Sequence, residues 1–179
     1  MAGRVMTIMQ SPGKGRSSVG RTSFLIAVMA LLFIESAAAS EPLTGVASVI
    51  DGDTLEVHGQ RIRLLGIDAP ESRQICVKDG KSWRCGNDAA FILADKIGRK
   101  PVSCEPKGKL DRYGRVIAVC RQGNEDLNAW MVRQGWAMAY QQYSKAYVAE
   151  EANARDARRG IWASEFAPPW EWRKQGRKR

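Results

Sequence analysis

Seven residues, Arg61-Ile62-Arg63-Leu64-Leu65-Gly66-Ile67, constrain the fold more than any other stretch of the chain. Read as a strand, they send Ile62 and Leu64 to one side and Leu65 and Ile67 to the other, because side chains alternate with period two. A strand apolar on both faces needs cover on both, which points to a small closed barrel or a covered sheet and not to a half-exposed ribbon. Residues 44–50 and 54–58 read as two preceding strands, and Gly59-Gln60 as the two-residue turn of a hairpin between residues 54–58 and 61–67. A helix follows, with Asn87 as its cap, Phe91, Ala94 and Ile97 on one face, and Gly98 as its stop. Residues 100–105 and 115–121 are the next strands, joined by the polar segment PKGKLDRYG. A second helix starts at Asn124, buries Leu127, Trp130 and Met131, and ends before Gly135. A third runs from Ser144 to Arg159 and is stopped by Gly160. The order βββαββαα fits an α+β fold: a five-stranded OB-type barrel with three helices packed on it.

Residues 1–39 differ from the rest. Arg4, Lys14, Arg16 and Arg21 form a basic leader, residues 24–34 are uninterruptedly apolar, and Ala37-Ala38-Ala39 has the small-residue pattern of a cleavage site. The apolar run is shorter than the roughly 20 residues that cross a bilayer. It reads as an export signal, with an uncleaved anchor as the alternative, and the mature chain then starts near Ser40. The barrel domain is expected over residues 40–165 and a basic, Trp-containing tail over residues 166–179. The net charge of +9 falls to about +6 without the leader, a modest excess that favours polyanionic partners. Arg173, Lys174, Arg177, Lys178 and Arg179 gather much of it in the tail, which either holds phosphates loosely or is unstructured.

The four cysteines, Cys76, Cys85, Cys104 and Cys120, all lie beyond the leader. An even count in an exported chain suggests two disulfides, and spacing alone allows three connectivities. Cys104 and Cys120 sit on strands that flank a turn, so they can face each other, and Cys76 and Cys85 would then close a short loop. Zinc is the rival, but there is no CxxC pair and the one histidine, His58, lies far from all four.

The acids carry the chemical signal. If Gly59-Gln60 is the hairpin loop, Asp51 falls opposite Asp68, with Asp53 diagonally beside it. Carboxylates that close repel, and a buried group of them takes protons or recruits a cation; oxygen donors without soft ligands suit Ca²⁺ or Mg²⁺. Taken alone, Asp51-Gly52-Asp53 could be only turn chemistry. Arg63 and Arg115 change the balance, since two guanidinium groups beside a cation suggest a phosphate held between them. Arg63 and Asp68 are five apart, so a bulge at Gly66, or the end of the strand there, is needed to put both in one site. A single histidine excludes chemistry that needs two imidazoles and disfavours a Ser-His-Asp hydrolase. His58, at the hairpin turn, reads as a surface strand residue.

IDGDT at residues 50–54, RLLGIDAPE at 63–71, DRYGR at 111–115, LNAWMVRQGWAMAY at 127–140 and RRGIW at 158–162 together resemble the staphylococcal nuclease family over roughly residues 44–163. The resemblance implies an OB-fold barrel with three helices and calcium-dependent cleavage of DNA and RNA to 3′-phosphate products. By motif position it implies Asp53, Asp68 and the carbonyl of Ala69 as Ca²⁺ ligands, with Asp51 adding to the negative field. Arg63 and Arg115 fall at the two phosphate-binding arginines and Glu71 at the general base. Tyr140 resembles a tyrosine lining the nucleotide pocket; Tyr143 is a second, one residue displaced from the family spacing. Tyr113 belongs to the DRYGR turn as a structural residue. Trp170 and Trp172, beyond the resemblance, read as packing back on the barrel, with base stacking the alternative. A monomer in the periplasm or the medium, with DNA and/or RNA as its partner, completes the expectation. The competing reading is a silent OB-fold binding module, which would be expected to lack one or more of Asp53, Asp68, Glu71, Arg63 and Arg115.

Overall fold

The computed structural model describes residues 41–176, so the expected leader lies outside the described residues. Five strands form the barrel: β1 (Leu43–Asp51), β2 (Thr54–Val57), β3 (Gln60–Leu64) and, numbering in chain order, β7 (Pro101–Pro106) and β8 (Val116–Gln122). Their order is β3-β2-β1-β7-β8, and a parallel pairing of β3 with β8 closes the ring. Four shorter elements lie between or beside them: β4 (Ile67–Asp68), the hairpin β5 (Cys76–Lys78) and β6 (Lys81–Trp83), and β9 (Glu125–Asp126). The α-helices among the described residues are α1 (Cys85–Ile97), α2 (Leu127–Arg133), α3 (Val148–Asp156) and α4 (Pro169–Gly176), with β10 (Met138–Ala139) between α2 and α3 and a 3-10 turn over Gly160–Ala163. None is long and apolar enough to cross a membrane. The five-stranded OB-type barrel is as expected; a fourth helix is present where a tail was expected.

The hairpin register differs from the sequence reading. Val57 pairs with Gln60, Leu55 with Ile62 and Thr54 with Arg63, so the loop is His58-Gly59. Both loop residues have positive φ, 51° and 79°, the conformation that matches the twist of the flanking strands. His58 is therefore an exposed turn residue and not a strand residue. The same shift undoes the expected pairing of Asp51 with Asp68: Asp51 pairs with Thr54, and Asp68 with Met138 of β10.

Inside the barrel, Leu55, Val57, Ile62, Leu64, Val102 and Ala118 are almost fully buried and meet Ala89, Leu93 and Ile97 of α1. These three recur every four residues, the spacing of one helix face. Phe91 was expected on that face, but it is 70% exposed, and Asn87 does not cap the helix, which starts at Cys85 after Arg84. Gly98 does end it. Asp126, not Asn124, caps α2 by accepting from the Ala129 amide. Ser144 accepts from the Ala146 amide within a turn, and α3 begins only at Val148 and ends at Asp156, short of Arg159.

A second, smaller cluster lies outside the barrel. Cys76, Cys85, Met138 and Ile161 are its buried centre, and Trp83, Trp136, Trp162, Phe166 and Trp170 pack around it. Both disulfides form: Cys104–Cys120 joins directly paired residues of β7 and β8, and Cys76–Cys85 ties β5 to the start of α1.

Candidate active site

The site begins where β3 ends. Arg63 alternates with the buried Ile62 and Leu64, so its side chain leaves the barrel interior. The strand stops at Leu64, and Gly66 turns the chain with a φ of 75°, a region a side chain with a Cβ rarely enters. Buried Asn128 fixes this turn, donating from Nδ2 to the carbonyls of Leu65 (3.0 Å) and Ala118 (3.2 Å) while Oδ1 accepts from the Cys120 amide. The chain then re-enters as β4 beside β10, which Glu151 holds in place by accepting from the Ala139 amide. That reversal brings Asp68 back to Arg63.

One guanidinium bridges two acids. Arg63 Nη1 lies 2.8 Å from Asp53 Oδ2, and Nη2 lies 2.8 Å from Asp68 Oδ1. Asp68 is fully buried and Asp53 nearly so. Asp53 also accepts from the amide of Ala69 (2.8 Å) and from Thr54 Oγ1 (3.2 Å). Burial pushes the Asp53 carboxyl well above the usual carboxylate range; Arg63 opposes the shift, and Asp51 and Asp68 add to it. Asp51 stays beside it, accepting from the Asp53 amide.

Glu71 is placed by close backbone packing. A Cβ on Gly86 would sit 1.7 Å from the Glu71 carbonyl oxygen, so only glycine lets the first turn of α1 lie against that backbone. Arg115 is aimed by Asp111, whose Oδ2 accepts from Nε at 2.8 Å, and its Nη1 reaches Thr54 Oγ1 at 3.4 Å. Slight burial raises the Asp111 carboxyl, but the Arg115 and Tyr113 amides and the Arg115 guanidinium outweigh it and hold the group below its usual range.

A cleft of about 670 Å³ opens over these groups, lined by Asp51, Asp53, Arg63, Glu71 and Arg115 on one side. Tyr140 and Tyr143 line the other, edge to face with centroids 4.9 Å apart. Tyr113, expected to be structural, donates its amide to Asp111 in the turn, and its ring, 66% exposed at the cleft, lies under the guanidinium groups of Arg112 (4.8 Å) and Arg115 (5.4 Å). The structure thus brings Asp51, Asp53, Glu71, both arginines and the tyrosines to one cleft, while Asp68 and Ala69 are buried, Asp68 tied to the cleft through Arg63.

Trp170 was expected to pack back on the barrel or stack on bases and Arg173 to sit in a basic tail, but their place beside the acids was not foreseen, nor were the anchors Asn128 and Gln74. Trp170 and Arg173, three apart on α4, both enter the cleft. Trp170 stacks flat on Tyr140 (5.5 Å, 2°), and Arg173 bonds both oxygens of Asp68, at 3.0 and 2.7 Å, and Glu71 Oε1 at 2.6 Å. The Pro168-Pro169 pair was the available signal, since proline is favoured in a first helical turn. Asn128 and Gln74 are buried polar anchors, and nothing in a single sequence separates them from surface amides.

Among the described residues no three His, Cys, Asp or Glu side chains make a ready metal cage. The donors nevertheless fit a hard cation. Two buried carboxylates already share one positive group, and burial, with smaller contributions from Asp51 and Asp68, raises the Asp53 carboxyl against the pull of Arg63.

The model of the family described as staphylococcal nuclease homologue matches residues 61–164. The chain is 37% identical over 161 residues to the succinoglycan biosynthesis protein ExoI of Rhizobium meliloti, which covers 87% of this chain and 84% of that one. It is 34% identical to an uncharacterized endonuclease of Haemophilus influenzae, over 88% of each chain. A micrococcal nuclease of Shigella flexneri is 36% identical, over 72% of this chain and 79% of its own.

Proposed function

Since the chain belongs to the staphylococcal nuclease family, we propose that it is an exported, calcium-dependent nuclease that cleaves DNA and/or RNA with little sequence specificity and leaves 3′-phosphate ends. The nuclease relatives support phosphodiester cleavage in general. The observation that carries the finer reading is the Arg63 bridge between Asp53 and Asp68 in a cleft shared with Glu71 and Arg115.

In this reading Asp53, Asp68 and the Ala69 carbonyl hold Ca²⁺. When bound, the ion supplies Lewis-acid polarisation of the phosphate. Glu71 takes the proton of the attacking water, which requires it to part from Arg173. Arg63 and Arg115 face the five-coordinate phosphorus and stabilise its extra negative charge. Tyr140 and Tyr143 line the nucleotide side. Each group acts on charge or on a flat face rather than on base edges, so little sequence preference is expected. Export is supported by the leader pattern and by two disulfides, which persist in oxidising compartments. The working chain is a monomer from near Ser40.

Digestion of single- and double-stranded DNA and RNA by the mature protein, with Ca²⁺ or with chelator, tests this directly. Cleavage that depends on Ca²⁺ and falls by about 10³-fold in Glu71→Gln is expected. Cleavage untouched by chelator would remove the metal from the reading, and full turnover in Glu71→Gln would remove the base.

A further inference from the structure

The segment after residue 164 lies beyond the family match, yet it supplies one wall of the cleft. It is firmly attached. Val77 and Glu165 exchange two backbone hydrogen bonds (2.9 and 2.8 Å), and Trp83 Nε1 donates to Ser164 Oγ (3.1 Å). Fully buried Gln74 donates to the Ala167 carbonyl at 2.7 Å, and Pro169, the first residue of α4, is buried. Phe166 and Trp170 pack on the second cluster. The segment that leads into α4 is thus held at several points, and Arg173 reaches from that helix to Asp68 and Glu71.

We propose that Arg173 is a third phosphate-binding arginine, carried by this wall and directed at the same phosphate chain as Arg63 and Arg115. The proposal rests on reading the cleft as a nucleic-acid site. Its basis is the placement of Asp68 between two guanidinium groups, Arg63 on one side and Arg173 on the other. Both guanidinium groups lean on the carboxylates, Arg63 on Asp53 and Asp68 and Arg173 on Asp68 and Glu71. When a divalent ion neutralises those acids, the hold on each guanidinium weakens and an incoming phosphate becomes the stronger partner. The planar fork of arginine suits that exchange, because carboxylate and phosphate present the same pair of acceptors. The Arg173 side chain is 29% exposed at the cleft, enough to reach an anion there without moving the helix. Trp170, stacked on Tyr140, is the positioning residue that fixes the face of α4 that Arg173 leaves from.

The opposite assignment is a plug, in which Arg173 blocks Asp68 and Glu71 until it is removed. Affinity for nucleic acid distinguishes the two. Fluorescence anisotropy would follow a labelled single-stranded phosphorothioate octamer, which resists cleavage, binding to the mature protein in saturating Ca²⁺ over a range of salt. For Arg173→Gln the dissociation constant is expected to rise about tenfold and the log–log salt slope to fall by about 0.7, the loss of one phosphate contact on a single strand. Arg173→Lys keeps the charge and should retain the slope while recovering only part of the affinity. Thermal melts of each variant check folding, and the Lys variant carries the test if the Gln variant is unfolded. Unchanged or tighter binding by Arg173→Gln, with an unchanged slope, overturns the proposal and favours the plug. If wild type cleaves natural DNA or RNA but the variant binds equally well, only this inference fails. If binding depends on Arg173 and no substrate is cleaved, the nuclease reading fails and this one stands.

Discussion

The two sides of the cleft are built by different means. The acidic side is carried by the barrel, whose core is aliphatic and closed by strand pairing: Leu55, Ile62 and Leu64 fix the strands from which Asp53 and Arg63 leave. The opposite side rests on the satellite cluster, where a disulfide and large aromatic rings take the place of a continuous sheet. A barrel places side chains by register, so one strand shift would move all of them together. The satellite side places Arg173 by a chain of separate contacts, each removable alone. Damage to the barrel should therefore abolish the whole site, and damage to the satellite should loosen one wall.

Leu64→Ala should have the largest effect, about 3 kcal/mol, because a fully enclosed side chain is deleted. Chemical denaturation measures it, and a loss below about 1 kcal/mol would show the barrel core to be more forgiving than its packing suggests. Replacing Cys76 and Cys85 together by Ser should cost about 2.5 kcal/mol from the short loop released. Hydrogen exchange should then speed up over residues 164–176 while β1–β3 stay protected; equal acceleration in both would erase the distinction between the two sides. Gln74→Ala should cost about 1.5 kcal/mol, since the Ala167 carbonyl loses its buried donor and the Glu71 amide loses its acceptor. Reduced octamer binding with an unchanged barrel exchange pattern is the sharper sign there.

The smallest expected effect is a pH dependence. Asp53 titrates higher in the fold than in the unfolded chain, so its favourable contribution is complete below the unfolded value of about 3.9 and is lost as pH rises through the raised folded value. In chelator, Asp53→Asn should be the more stable protein at neutral pH, with the difference shrinking on acidification. Melting both proteins across pH 3–8 tests the sign, and a wild type that gains on the variant as pH rises would reverse it.

The barrel was legible because period-two alternation survives in short strands and because turns draw on few residue types. The hairpin slipped by one position since His58, an uncommon residue at positive φ, takes a place that Gly59-Gln60 seemed to fill. The α1 face was misread because Phe91 outweighs alanine in a count of apolar residues, although small Ala89 is what fits against the barrel. The acids were gathered correctly but by another route: Asp68 arrives through the Gly66 turn and β4, a long-range pairing with β10 that no local pattern announces. The Trp170–Arg173 wall stayed hidden for the same reason, since its partners lie about a hundred residues away and its polar composition resembles that of a solvated tail.

The parallel contact of β3 with β8 has a consequence beyond shaping the cleft. It leaves each of the five barrel strands with a neighbour on both sides, so no barrel strand stands as a full-length edge on which a second chain could add itself. Among the described residues the open edges are on short elements, β9 and the two-stranded β4–β10 and β5–β6 sheets, and in the last of these Lys78 and Lys81 stand opposite each other and resist strand addition by charge.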